Sequence, residues 1–122
     1  MQATDFWGEI ETTAVRTPLS ILREQAAALG PRTKNLVEAK VQTTIYSGYL
    51  IHSFNLVVPS VDSYTYQLFQ IEHPVDLYPI HVKDSPPIIL ETEDEFTAWL
   101  RERLSAERTR KILSNLLAQA QS

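Results

Sequence analysis

Residues 36–90 read LVEAKVQTTIYSGYLIHSFNLVVPSVDSYTYQLFQIEHPVDLYPIHVKDSPPIIL. The stretch is rich in Val, Ile, Thr, Tyr and Phe, residues that fit a pleated, half-buried surface. Turn residues break it at short intervals, which predicts a meander of four or five antiparallel strands. From Val37 the residues alternate. Val37, Ala39, Val41, Thr43 and Ile45 fall on one side, and Glu38, Lys40, Gln42 and Thr44 on the other, the pattern of a strand with one wet face. Ser47-Gly48 is a hairpin signal. Residues 49–58 carry apolar side chains at both parities, so this is a central strand whose register stays open. Pro59 to Ser63 is a loop. The next strand sets Tyr64, Tyr66 and Leu68 against Thr65, Gln67 and Phe69, and His73-Pro74 ends it. Residues 77–83 form a further strand, where Pro79 points to an edge or a bulge. Asp84 to Pro87 is a rigid turn, and Ile88 to Leu90 adds a short last strand.

Outward from this stretch the period changes to that of helices. Phe6, Ile10 and Ala14 stand at i, i+4 and i+8, predicting an amphipathic helix over 5–16 with Thr4 as its cap. Pro18 suits the first turn of a new helical segment capped by Thr17, with Ile21, Leu22, Ala26 and Leu29 on its face, and because the phases on both sides nearly match, one kinked helix and two short ones are both allowed. Gly30-Pro31 is read as its stop. On the C-terminal side Thr92 and Glu95 form a capping box. Glu93, Asp94 and Glu95 suit the positive end of the helix dipole. The buried face runs Phe96, Trp99, Leu100, Arg103 and Leu104. A break is expected near 105–107, with Ser105 as the next cap and Ile112, Leu113, Leu116 and Leu117 on the following face. The fold class is therefore α+β: a four- to five-stranded antiparallel sheet flanked by N- and C-terminal helices. The chain reads as a single domain, 1–122, helical over 4–29, sheet over 36–90 and helical over 92–119.

Composition bounds the function. Hydrophobic residues make up 43% and charged residues 21%, which places the chain among globular proteins and away from disordered ones. There is no cysteine, so neither a disulfide framework nor a thiolate metal site is available. The net charge of −4 argues against a duplex-binding footprint, and no nucleic-acid partner is expected. The basic cluster Arg101 to Lys111 is interleaved with Glu102 and Glu107, as on a solvated helix face. No signal peptide or membrane span is visible, so the expected compartment is the cytoplasm, without a membrane partner.

Candidate chemistry is sparse. Glu38-Ala39-Lys40 has the spacing of a nuclease metal-and-lysine pair, but no upstream strand supplies the second acid that such chemistry needs. The spacings of His52, His73 and His81 match no zinc pattern, and they read as three unrelated histidines. Glu72 and Asp76 flank His73, yet no nucleophile motif accompanies them. The three glycines form no phosphate-cradling run. Tyr46, Tyr49, Tyr64, Tyr66 and Tyr78 cluster in the strand region, where tyrosine serves both sheet pairing and interfaces.

These observations favour a non-enzymatic protein–protein interaction module. It would bind itself as a homodimer or another protein, and would need no catalytic residues, metal or cofactor. Tyr64 and Tyr66, on the more polar parity, are the expected contact residues. The mix of helices and antiparallel strands resembles that of small bacterial immunity proteins and secretion chaperones, a likeness of architecture only. The alternative is a small-molecule-binding or hydrolytic domain with a pocket near His73, Asp76 and Tyr78.

Overall fold

The computed structural model describes residues 5–122. The elements run α1 (Pro18–Arg32), β1 (Glu38–Tyr46), β2 (Tyr49–Val58), β3 (Tyr64–His73), β4 (Ile80–Val82), β5 (Ile88–Leu90), α2 (Glu93–Ser105) and α3 (Glu107–Ala120). The strands form one antiparallel sheet in the order β1-β2-β3-β4-β5, the meander that the turn spacing predicts. The β1–β2 hairpin closes at Ser47 and Gly48, both with positive φ, as a two-residue turn matched to strand twist requires.

One face of the sheet meets the helices. Val37 and then Leu56, Phe54 and Val58 of β2, Ile71 and Phe69 of β3, Ile80 and Val82 of β4 and Leu90 of β5 join Ile21, Leu22 and Ala26 of α1 in a common core. Phe96 and Leu100 of α2 and Ile112 and Leu116 of α3 complete it. Full burial of a side chain of this size is worth roughly 1.5–3 kcal/mol, so Phe96, Leu22, Leu56, Ile71 and Ile80 anchor the helices to the sheet. The opposite face carries Lys40, Gln42, Thr44, Tyr46, Thr65, Gln67 and Lys83, all exposed.

The β2–β3 ladder holds a bulge. Phe54 pairs with Phe69 while Asn55 pairs with Gln67, which leaves Leu68 as an extra residue in β3. Both Leu68 and Phe69 are buried. Arg103 of α2 holds the bulge from above: its Nη2 donates to the Leu68 carbonyl at 3.3 Å. Its guanidinium carbon lies 5.9 Å from the ring centres of both Phe69 and Trp99.

Several expectations change. Residues 5–16 form no helix, and Thr4 lies outside the described residues. Gly8 has φ +66, which breaks helical geometry. Phe6 and Ile10 stay exposed, so no packing offsets the cost of nucleating a short helix. Gly30-Pro31 does not stop α1. The helix runs to Arg32 with Pro31 in its last turn, and Thr33 caps it with its own amide. The hydrogen bond that proline forfeits there would go to the carbonyl of Ala27, an exposed residue. Pro79 marks no edge: it precedes the ladder, and β4 pairs on both sides, leaving β1 and β5 as the edges. Ser105 does not cap α3. Ala106 holds that position with no side-chain bond, while Thr109 Oγ1 donates to the Arg103 carbonyl at 2.7 Å across the break.

Thr17 and Thr92 cap as expected, accepting from the amides of Ser20 and Glu95. The reciprocal bond of the capping box goes one residue further back, from the Glu91 amide to Glu95 Oε1 at 2.8 Å. Among the described residues no helix is long and apolar enough to cross a membrane.

Candidate functional site

Three places in the molecule gather side chains with chemical potential. The first is a groove of about 640 Å³ between α1 and the α2–α3 pair. Its floor is the sheet, through Phe54, Leu56 and Leu68. One wall is Ile21, Ala28 and Leu29 of α1; the other is Leu100, Leu104, Leu113 and Leu117. The groove exists because the chain turns at Ala106, so that α3 leaves the line of α2 and the two helices share one apolar wall. Four arginines, Arg16, Arg32, Arg101 and Arg110, line it, against one carboxylate, Glu24. Arg16 pairs with Glu24 at 2.6 Å. Among the described residues Arg32, Arg101 and Arg110 make no ion pair. The cluster Arg101 to Lys111, expected to be a solvated helix face, thus contributes two of the groove's cations.

The second place is a line of hydrogen bonds across the sheet, buried at its centre. Thr43 Oγ1 lies 2.9 Å from His52 Nδ1, His52 Nε2 lies 2.8 Å from His73 Nε2, and His73 Nδ1 lies 2.7 Å from the Pro74 carbonyl oxygen. A carbonyl only accepts, so His73 carries its proton on Nδ1 and accepts at Nε2. His52 must then donate from Nε2 and accept the Thr43 hydroxyl at Nδ1. With both rings neutral every polar atom in the line is satisfied. Burial, reinforced by His73 and Arg23, lowers the His52 pKa to about 4, so the ring is neutral near pH 7.

The reading of three unrelated histidines is therefore corrected: His52 and His73 form one pair. The bulge makes the pair. Were Leu68 paired in line and not bulged, His73 would fall on the opposite face of the sheet from His52. The sequence signal is the change of phase in β3, where Tyr64, Tyr66 and Leu68 give way to Phe69, Ile71 and His73. His81 lies on the other face, opposite Glu72, and meets Tyr49 edge to face at 6.4 Å.

The third place is Tyr78. Its hydroxyl is buried and has no hydrogen-bond partner among the described residues. Burial and the nearby Glu93 carboxylate push it up to about 12, with Arg16 opposing.

The residues singled out from the sequence differ in their surroundings. His73 is buried against His52, Asp76 is exposed in the β3–β4 loop, and Tyr78 is half-buried beside Glu93. None of the three lines the groove. Tyr64 and Tyr66 oppose Val58 and Leu56, so they belong to the helix-bearing face and not to the polar one. Tyr66 packs against the core, whereas Tyr64 is 51% exposed. Glu38 and Lys40 lie on the open face, opposite Val57 and Asn55. Among the described residues no three His, Asp or Glu side chains are grouped to hold a metal ion. The groove itself was missed in the sequence because it depends on how far the helices splay, which periodicity does not encode.

Compared with models of known protein families, with curated proteins and with solved structures, the chain matches none.

Proposed function

We propose that this chain is a non-catalytic protein-interaction module of the cytoplasm, and that its docking surface is the groove between α1 and α2–α3. The ligand class is a protein segment that is apolar on one side and acidic on the other. The reading rests on one observation: an apolar floor and walls framed by four arginines, in a chain whose net charge is −4. A cationic rim steers an anionic partner inward, and other copies of this acidic chain are among the partners it attracts. The apolar lining supplies the contact area, and Arg32, Arg101 and Arg110, which make no ion pair among the described residues, supply forked donors for carboxylates. The interaction needs no cofactor, nucleic acid or membrane. His73, Asp76 and Tyr78 do not line the groove, so the hydrolytic alternative is not carried further.

The test is fluorescence anisotropy with a short labelled peptide of alternating glutamate and leucine, against the same peptide with lysine in place of glutamate. The acidic peptide binds and the basic one does not. Arg101→Glu combined with Arg110→Glu weakens the acidic peptide by about tenfold or more, equivalent to roughly 1.4 kcal/mol. Equal binding of both peptides, or none, overturns the reading.

A further inference from the structure

The segment that precedes α1 has the chemistry complementary to the groove. Residues 5–11 read Asp-Phe-Trp-Gly-Glu-Ile-Glu. Three large apolar side chains alternate in this segment with three carboxylates, Asp5, Glu9 and Glu11. In its own chain the segment stands away from the body: Phe6 is 101% exposed, and Trp7 and Ile10 are each 77% exposed. Such exposure of two aromatic rings and an isoleucine within five residues is the mark of a contact surface. The base of the segment is fixed. The Arg16 amide donates to Glu93 Oε1 at 3.2 Å, and the Arg16 side chain holds Glu24 at the rim.

Resting on the reading of the groove just given, we infer that its partner is this segment of a second copy of the chain. Two copies exchange arms about a two-fold axis, each placing Phe6, Trp7 and Ile10 on the partner's apolar floor and its carboxylates beside Arg32, Arg101 and Arg110. An isologous exchange uses both arms and both grooves, so every contact is made twice. Burying the three side chains removes roughly 450 Å² from each arm, and a similar area from each groove. The exchange then covers about 1,800 Å² in all, within the range of stable specific interfaces. Charge supports the same occupant: three acids on the arm meet three arginines that make no other ion pair among the described residues.

The experiment is light scattering coupled to size exclusion on the full chain, from micromolar to submillimolar concentration. The wild type is a dimer. The variant Phe6→Ser, Trp7→Ser, Ile10→Ser is a monomer with an unchanged far-ultraviolet spectrum. A charge-reversed arm (Asp5→Lys, Glu9→Lys, Glu11→Lys) and a charge-reversed groove (Arg32→Glu, Arg101→Glu, Arg110→Glu) are each monomeric alone. Mixed, they form a heterodimer, because both arm–groove contacts become attractive. A misfolded variant cannot give that rescue. A monomeric wild type, a dimer that survives the triple serine substitution, or a mixture that stays monomeric each overturns the arm exchange. The peptide assay separates this failure from that of the groove: acidic-peptide binding that persists in a monomeric wild type leaves the groove as a docking site and removes only the second copy.

Discussion

Acid should act on this fold through His52. The ring is fully buried, and its pKa is lowered to about 4 from an ordinary 6.5. In the unfolded chain the same ring binds a proton near pH 6.5. Between these values the unfolded state holds more protons than the folded one, so stability falls as pH falls. The contribution is intact above about pH 6.5 and is lost progressively down to about pH 4. At roughly 1.4 kcal/mol per pH unit the loss reaches about 3 kcal/mol by pH 4. That is a large share of a typical stability of roughly 5–15 kcal/mol. Carboxylates titrate over part of the same window, so the measurement needs a control that keeps the hydrogen bond and removes the titration. His52→Gln does this, since its amide can donate to His73 Nε2. Urea denaturation at pH 7 and pH 4 then gives the difference directly. The wild type loses about 3 kcal/mol more than His52→Gln. Parallel losses in the two proteins would refute the argument, as would a ring-proton NMR titration of His52 with a midpoint near 6.5.

Three further outcomes follow from the geometry. Thr92→Ala removes the acceptor for the Glu95 amide and lowers stability by about 1 kcal/mol in chemical denaturation, with an unchanged slope. Tyr66→Ser, which empties a position packed on the core, costs about 2 kcal/mol or more, while Tyr64→Ser stays within about 0.5 kcal/mol; equal effects in thermal melts would contradict their placement. Arg103→Met keeps the stem but leaves the Leu68 carbonyl without its donor, and destabilises by about 1–3 kcal/mol measured by urea titration.

The sheet was legible because period-two alternation and turn residues are local signals. Val37 to Ile45, Ser47-Gly48 and Ile88 to Leu90 each took the predicted form. The capping box was legible for the same reason: Thr92 and Glu95 act within one turn. What failed depended on tertiary surroundings. Phe6, Ile10 and Ala14 have helical spacing, but no surface is offered to them in their own chain, and Gly8 takes a left-handed φ. Pro79 is a strong edge signal only if it lies inside a ladder, and the ladder begins one residue later. Alternation puts Tyr64 and Tyr66 on one parity, but which parity the helices cover is not a local signal. The His52–His73 contact needed the count across a bulge, and the groove needed the turn at Ala106. Neither can be read from a window of a few residues.

The bulge at Leu68 divides the sheet into two frames. Residues from Tyr64 to Gln67 keep step with the second half of β2, and those from Phe69 to His73 keep step with its first half only after one count is skipped. β4 takes its register from Ile71 and Glu72, and β5 from β4. The frame set at Leu68 is therefore inherited by everything beyond it. Drawing Leu68 into the ladder opposite Phe54 would turn Phe69, Ile71 and His73 outward and Gln70 and Glu72 inward, whereas a ladder without Leu68 would keep all of them as they are. Added or lost residues in the loop between β2 and β3 carry no such penalty, because the paired strands, and not the loop, keep the count. The chain should therefore accept changes of length around Ser60 to Ser63, and loss of Leu68 should cost the bulge that Arg103 holds and not the facing of the strand.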